Sequence, residues 1–131
     1  MEAAQTGHLV LSTLHTTGAV KTIGRILELY PKENHTSVLS RLSEILIFIH
    51  SQGLLPGQRR RVLNYEFLHN SEDAVASAIA NYDGGARSLE DVIRRSGNIS
   101  WDANLLRLLK QGLITEETFI NAQMNMNKDD F

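Results

Sequence analysis

Apolar residues near the amino terminus form a short run that is flanked by polar residues on both sides. The run consists of Leu9, Val10, Leu11 and Leu14. A short, nearly continuous apolar run is typical of a strand buried on both faces, as in a parallel sheet. Because ligands meet an open parallel sheet at the carboxyl ends of its strands, the pattern predicts a ligand crevice beside the residues that end the strand. These are Thr13, His15, Thr16 and Thr17.

Helical spacing dominates the part of the chain that follows. A hydroxyl at Thr16 or Thr17 suits a helix cap, and the apolar positions after it predict a helix that runs to about Tyr30. A second helix is predicted from about Ser37 to Gln52, because this segment is apolar nearly all round. Gly53 then suits the left-handed residue that closes a helix.

A period of two appears between Arg60 and Leu68, where aromatic residues are frequent. This alternation predicts a strand that pairs with residues just before Pro56 and carries Asn64 and Glu66 on the same side as Leu68. Four shorter helices are predicted beyond it, and the polar tail from Met124 onward is expected to fray. The predicted helix starts are Asn70 or Ser71, Ser88 with Asp91 as a capping box, Ser100, and Thr115.

These elements predict an α/β fold with about six helices and two or three strands. Two strands cannot form an independent parallel sheet, so we expect the remaining strands of the sheet to lie elsewhere. The apolar segment from Ile45 to Ile49 also needs a covering surface, which predicts self-association. It is far shorter than the roughly 20 residues that a membrane span requires.

Composition narrows the classes of function. The chain has 131 residues, no cysteine and a formal net charge of -2, which fit one soluble intracellular domain without disulfides or thiolate chemistry. Charges of both signs are interspersed, so no overall field favours nucleic acid. The basic run Arg59-Arg60-Arg61 either holds phosphate or lies at a solvated strand edge. The later histidines lack the spacing of metal ligands; they are His35, His50 and His69.

Residues 6–19, which read TGHLVLSTLHTTGA, carry a specific resemblance. This stretch resembles the histidine box of the secretion ATPase superfamily, and within it the type IV pilus retraction (PilT-type) ATPases. The resemblance continues more weakly to the end of the chain. The further matching segments are Leu42-Ser43-Glu44, Ser51-Gln52, Tyr65-Glu66 and Lys110-Gln111-Gly112-Leu113-Ile114.

The resemblance implies the carboxy-terminal part of a RecA-like P-loop ATPase domain that starts at the histidine box. Residues 1–68 would belong to the ATPase core and residues 69–131 to a helical subdomain. The parent would be a homohexameric, cytoplasmic ring that binds ATP and Mg2+. It would act at the inner membrane through pilus or secretion machinery, without a membrane span and without nucleic acid.

The resemblance also implies roles for particular residues. His15 would sense the γ-phosphate or orient a water, with His8 and Thr13 in support, so these three are the predicted catalytic residues. His15, Thr16 and Arg25 are the predicted nucleotide-binding residues. On one strand His8 and His15 would point to opposite faces, which argues against a shared metal site. A buried histidine satisfied by backbone groups remains the alternative for His15, and a structural role the alternative for His8. Helix capping is the alternative for Thr16 and Thr17, and an exposed helix face the alternative for Lys21 and Arg25. Glu66 is expected to be structural.

Two departures from the family pattern bear on activity. No Gly-Lys pair occurs, so the chain lacks a phosphate-gripping Gly-x-x-x-x-Gly-Lys-Ser/Thr loop, and by itself it should not hydrolyse ATP at a meaningful rate. Pilus retraction ATPases commonly carry Ala-Ile-Arg-x-x-Ile-Arg-Glu, whereas residues 74–81 read Ala-Val-Ala-Ser-Ala-Ile-Ala-Asn. Strict retraction is therefore in question, and a divergent pilus, conjugation or secretion motor is an alternative.

Two other classes of function stay open from the sequence. One is a non-catalytic helical interaction module that binds a motor ATPase or an adaptor. The other is a small nucleic-acid-binding domain, which the near-neutral charge disfavours. The chain is expected to be part of a longer ATPase, and a reading frame that continues upstream of Met1 into a Gly-Lys-Ser/Thr loop would separate this hypothesis from the module.

Overall fold

The computed structural model of the chain describes residues 1–85 and 87–126. Over this part the fold consists of seven α-helices, a short 3₁₀ turn and two strands. The elements are α1 (Glu2–Gln5), α2 (Ala19–Leu27), the 3₁₀ turn (Lys32–Asn34), α3 (His35–Ile45), β1 (Phe48–Leu55), β2 (Val62–His69), α4 (Asp73–Ala80), α5 (Arg87–Arg95), α6 (Trp101–Lys110) and α7 (Glu116–Met126).

The two strands form an antiparallel hairpin in which Phe48 lies opposite His69 and Leu55 lies opposite Val62. The predicted strand and its pairing with residues before Pro56 are therefore confirmed. The predicted alternation also holds, because Asn64, Glu66 and Leu68 are buried on the inner face. The basic run lies exposed in the turn between the strands.

The predicted helix from Ser37 to Gln52 is wrong in its second half. Helix α3 ends at Ile45, and Leu46 already has extended backbone angles. From Phe48 onward the backbone pairs with β2, and Gly53 lies within β1 instead of closing a helix. A short apolar run does not distinguish a buried helix from a strand by its period alone, and here the pairing partner decides the conformation.

The predicted strand at Leu9–Leu14 does not form. Residues 8–14 have no regular secondary structure, and Leu9 and Leu11 are 76% and 77% exposed. A buried parallel strand needs neighbours on both edges, whereas the described residues form a single two-stranded antiparallel sheet. Without such neighbours the apolar run has no strand with which to form backbone hydrogen bonds and no apolar surface against which to pack.

The first two predicted helix starts are wrong by a few residues. Helix α2 begins after Gly18, whose φ of 92° suits glycine, so neither Thr16 nor Thr17 is the cap. Helix α4 begins at Asp73 after Glu72, so neither Asn70 nor Ser71 is the cap. The Asn70 side-chain amide instead donates to the distant Ser43 and Leu46 carbonyls.

The last two helices start where predicted. Ser100 caps α6 by accepting a hydrogen bond from the Ala103 amide at 3.3 Å. Thr115 Oγ1 accepts from the Thr118 amide at 3.2 Å, just before α7. The predicted start at Ser88 is wrong, because α5 already includes Arg87. The Ser88 side chain lies outside the described part, as do residues 127–131 of the predicted fraying tail. Helix α7 continues to Met126, past the predicted start of that tail.

The buried apolar residues form two clusters around the hairpin. The larger cluster joins α2, α3, α4 and α5 to the inner face of the sheet. The smaller joins α6 and α7, through Leu105, Leu108, Ile114 and Ala122. Along the described residues, no helix combines the length and apolar character that crossing a membrane requires.

Gly24 gives a test of the α2 packing. It lies inside the helix, and an added Cβ would meet Tyr82 Oη at 3.4 Å, which is ordinary contact. Because glycine loses more backbone entropy than alanine in a helix, Gly24→Ala should raise the free energy of unfolding by about 0.5–1 kcal/mol. Urea unfolding followed by circular dichroism measures this change, and a decrease would show that Tyr82 cannot adjust.

Candidate functional site

The first turn of α2, directly after the histidine box (residues 6–19), is fastened to the inner face of the hairpin. The Gly18 amide donates to Ser51 Oγ at 3.1 Å, and the Ala19 amide donates to Glu66 Oε1 at 2.6 Å. Both acceptors are buried. Two of the four amides that a helix start leaves without an intrahelical partner are therefore satisfied by β1 and β2.

Glu66 also reaches a second helix. Its Oε2 accepts a hydrogen bond from the Trp101 amide, the first residue of α6, at 3.2 Å. One buried carboxylate thus contacts the starts of α2 and α6, where the positive ends of the helix dipoles favour negative charge. Burial nevertheless dominates and raises the pKa of Glu66 above its ordinary value, although both backbone hydrogen bonds lower it.

A cleft of about 580 Å³ opens beside this carboxylate, between the starts of α2 and α6. Charged side chains of both signs line it, among them Lys21, Glu90, Arg94 and Asp102. Arg94 and Asp102 form an ion pair at 3.8 Å, and the charges of Glu90 and Asp102 each push the pKa of Glu66 upward. We call this space the α2/α6 cleft.

Trp101 forms a wall of the α2/α6 cleft. The residue is 5% exposed, and its ring lies so close to β1 that a Cβ on Gly53 would come within 2.8 Å of Trp101 Cη2. Its indole Nε1 is buried without a hydrogen-bond partner in the described part of the chain. Gly53 therefore serves close packing, because any side chain on this face would displace the indole.

A buried amide network holds α6 on β2. Asn104 Nδ2 donates to Asn64 Oδ1 at 2.7 Å, and both residues are almost fully buried. Arg107 completes the network by donating to Asn104 Oδ1 through Nε and Nη2, at 3.0 and 2.7 Å. Buried amides paired in this way fix the position of one element on another, because a shift would leave polar groups unpaired.

The predicted histidine-box residues lie apart from this anchored region. His15 and Thr13 are exposed and lie in the irregular segment before α2, so their predicted place at the end of a buried strand is wrong. His8 Nδ1 lies 3.0 Å from Thr6 Oγ1 and 3.2 Å from the Ala3 carbonyl oxygen, at the end of α1. His8 is thus held at the end of α1, whereas His15 lies exposed in the segment before α2.

The other predicted nucleotide-binding residues have protein partners. Thr16 Oγ1 lies 2.8 Å from Thr22 Oγ1, which in turn donates to the Gly18 carbonyl and braces the first turn of α2. Arg25 pairs with Glu28 on an exposed surface near the end of α2. About 9 Å of helix axis separates Arg25 from Ala19, so within one chain Arg25 and His15 lie at opposite ends of the helix.

Most of the anchored region does not follow from the sequence pattern. Ser51 lies in the segment that is predicted as a helix, and no local pattern points to Trp101, Asn64 or Asn104. The available signal was the alternation in β2, which places two polar side chains on the same face as Leu68 while the aromatic Tyr65 and Phe67 face the other way. Polar residues on the buried face of a strand must find partners, and this could have directed attention to Glu66.

Comparison with known families decides the relationship. The sequence profile described as type II/IV secretion system protein matches residues 1–116, which is most of the chain. The chain belongs to the type II/IV secretion system protein family. This confirms the resemblance of the histidine box, and the α/β fold agrees with the corresponding part of solved structures from this family.

Three members of the secretion system family illustrate the likeness. The twitching motility protein of Neisseria gonorrhoeae is 37% identical over 134 residues, which cover 100% of this chain and 36% of that protein. The crystal structure of the pilus retraction motor PilT with bound ADP superposes with a TM-score of 0.78 at 39% identity, covering 92% of this chain and 34% of PilT. The Legionella pneumophila ATPase DotB gives a TM-score of 0.78 at 25% identity, covering 95% of this chain and 34% of DotB. The chain spans about a third of the length of these relatives.

Proposed function

We propose that this chain is the carboxy-terminal, nucleotide-responding part of a hexameric motor ATPase that powers pilus dynamics or protein secretion. The likeness to the ADP-bound retraction motor, at 39% identity over 92% of the chain, carries the proposal. The histidine box lies within the matched region, so the segment most specific to this family is present.

His15 is the proposed nucleotide sensor. Its side chain is exposed, and no hydrogen bond to another protein group is found for it among the described residues. The imidazole is therefore available to a phosphate oxygen or a water brought by another part of the motor. His15 lies four residues before Ala19, whose amide donates to Glu66. A movement of His15 would therefore displace the start of α2, which is bonded to the hairpin.

The other sequence-predicted residues take supporting parts in the proposal. Thr13 adds a hydroxyl two residues before His15. His8 fixes the start of the histidine box through its hydrogen bond with Thr6. Thr16 braces α2 through Thr22 and contacts nucleotide only if that hydrogen bond opens. Arg25, at the far end of α2, would reach the nucleotide of an adjacent copy in a ring.

The proposal includes ATP and Mg2+ as ligands of the whole motor. At the α2 start, the Gly18 and Ala19 amides already donate to Ser51 and Glu66, so these two amides are not free to bind a phosphate. The neighbouring cleft is lined by carboxylates as well as by Lys21 and Arg94. Within the described residues, no group of histidine and carboxylate side chains is arranged to hold a metal ion. The phosphate-gripping loop, whose Gly-Lys pair does not occur in this sequence, and the magnesium site would be supplied by other parts of the motor.

The remaining sequence-based assignments form part of the same proposal. Residues 1–68 would serve the ATPase core, and the helices after Leu68 would face partners or transmit motion. The ring would be cytoplasmic and peripheral to the inner membrane, where it meets pilus or secretion machinery. Nucleic acid would have no part in its action.

Replacement of His15 tests the proposed function. In a chimera of the Neisseria gonorrhoeae protein, this chain would replace the segment that it matches, and ATP turnover would be measured with purified protein. His15→Ala should lower turnover about 10- to 100-fold, as expected for the loss of a hydrogen bond of about 1.5–3 kcal/mol to a charged phosphate. Lys32→Ala, which removes an exposed side chain of the 3₁₀ turn outside the box, is the control and should keep turnover within about twofold.

Light scattering would establish that both variants assemble like the unmodified chimera. Turnover of assembled His15→Ala equal to that of the unmodified chimera would contradict the role of His15. An unmodified chimera that assembles but hydrolyses no ATP would contradict the motor assignment itself.

A non-catalytic interaction module remains the second candidate, and the outer face of the hairpin favours it. Phe48, His50 and Phe67 form a ladder of aromatic rings there, with centroids 5.6 and 6.0 Å apart. Phe48 is 43% exposed, and such a surface suits contact with another protein. Saturable binding of the isolated chain to the Neisseria gonorrhoeae protein in calorimetry, together with an inactive chimera, would favour the module.

A further inference from the structure

One buried side chain joins two helices that lie far apart in the sequence. The Glu66 carboxylate accepts from the Ala19 amide through one oxygen and from the Trp101 amide through the other. Ala19 is the first residue of α2, and Trp101 is the first residue of α6. The bonds are to backbone amides, so they report the position of each helix and not the rotamer of a side chain.

The two bonds depend on each other through a shared rigid group. The two oxygens of a carboxylate are fixed relative to each other, so a shift of the α2 amide that rotates the group also changes the bond to α6. Neighbouring contacts restrict other responses, because Glu66 is 8% exposed and the adjacent residues Asn64 and Leu68 on its face are fully buried. The strand that carries Glu66 therefore holds the carboxylate in a fixed position.

The charge state of Glu66 sets the strength of this connection. Only the ionised form offers two equivalent acceptors, whereas a protonated carboxyl would have to turn its O–H away from both amides. Burial and the charges of Glu90 and Asp102 favour the protonated form, and the two backbone bonds favour the ionised form. Lys21 of α2 and Arg94 of α5 also line the cleft and face the same space.

We propose that Glu66 is a positioning residue that couples α2 to α6, so that a displacement of the histidine-bearing segment is passed to the carboxy-terminal helices. This inference rests on the proposed function for its role in the motor. The physical coupling between the two helices is a property of the chain itself and can be measured without nucleotide.

The first experiment uses the chain alone and follows backbone amides by NMR. Ala19 and Trp101 should titrate with one common midpoint above 4.5, the ordinary value for Glu66, and Glu66→Gln should abolish this titration at both amides. Glu90→Gln, which removes a charge from the same cleft, should keep the common titration and lower its midpoint. Different midpoints, or a titration that persists in Glu66→Gln, would overturn the assignment of one carboxylate to both helices.

The second experiment tests transmission with a double-mutant cycle. Ser100→Ala removes the side-chain cap of α6 without touching α2. With Glu66 present it should speed hydrogen exchange of the Ala19 amide by at least about threefold, and in the Glu66→Gln background it should leave that rate unchanged. The coupling would be overturned if Ser100→Ala left the exchange rate of the Ala19 amide unchanged while the α7 amides exchanged as in the unmodified chain.

The third experiment carries the coupling into the chimera with the Neisseria gonorrhoeae protein. Glu66→Gln should lower kcat about fivefold or more and leave the KM for ATP within about twofold, because nucleotide is held elsewhere. An unchanged kcat in an active chimera would overturn the role of Glu66 while leaving the motor assignment intact. If the unmodified chimera were inactive, the proposed function would fail, and the NMR experiments would still decide the coupling.

Discussion

Replacing Trp101 by alanine should lower the free energy of unfolding by about 3–5 kcal/mol. Trp101 is only 5% exposed, and its indole packs directly on the backbone of β1 at Gly53. Its removal would leave a cavity where α6 meets the hairpin, beside Glu66. Because small domains are stable by only about 5–15 kcal/mol, this loss would bring the chain close to unfolding. Urea unfolding followed by far-ultraviolet circular dichroism measures the change.

Trp101→Phe is the matched control for this prediction. It keeps an aromatic ring against Gly53 and removes the indole Nε1, which has no partner in the described structure. Deleting an unpaired buried donor offsets part of the lost packing, so the cost should be clearly smaller than that of alanine. Equal destabilisation by both substitutions would show that Nε1 makes an essential hydrogen bond.

Leu68→Ala should lower the free energy of unfolding by about 2–5 kcal/mol. Leu68 is fully buried on the inner face of β2 and belongs to the larger apolar cluster. Residues of four helices and of both strands form this cluster, so removing the side chain would leave a cavity among packed elements. Trp101 is the single tryptophan of the chain, and its fluorescence during urea unfolding would report the change.

Leu63→Ala, on the same strand, provides the comparison. Leu63 lies on the opposite face and is 43% exposed, so its loss should change the free energy of unfolding by less than about 1 kcal/mol. A large loss at Leu63 with little loss at Leu68 would mean that the two faces of β2 are exchanged.

The titration of Glu66 also predicts how stability varies with pH. Its pKa is raised in the folded chain by burial, so the folded state binds this proton more tightly than the unfolded state. The contribution of Glu66 to stability is therefore complete below its ordinary pKa of 4.5 and is lost as pH rises through the folded pKa. Urea midpoints of the wild-type chain minus those of Glu66→Gln should decrease across this window, and an increasing difference would contradict the raised pKa.

Features that depend on near neighbours were predictable from the sequence. The alternation in residues 60–68 predicted a strand with Asn64, Glu66 and Leu68 on one face, because a strand exposes successive side chains to opposite sides whatever lies beyond it. The hydroxyl of Ser100 gave the start of α6, since a cap is satisfied within three residues. The histidine box gave the family, which the profile match over residues 1–116 confirms.

Features that depend on distant partners were predicted wrongly. Residues 46–52 looked helical, yet they pair with β2, and the ladder of hydrogen bonds outweighs the helical preference of single residues. Residues 9–14 looked like an interior strand, yet in this structure no neighbouring strand lies beside them. Thr16 and Thr17 looked like caps, yet Ser51 and Glu66 satisfy the first amides of α2 from the hairpin.

The sequence by itself determined the family, the alternation of faces along β2 and the starts of the last two helices, because each rests on a local pattern or on a motif that needs no partner. The tertiary structure alone decided that β1 is a strand, that His15 is exposed, and that Glu66 connects α2 to α6. The physical reason is that a strand edge, a buried carboxylate and a helix start each leave hydrogen-bonding groups unpaired, and only the fold shows which distant groups pair with them.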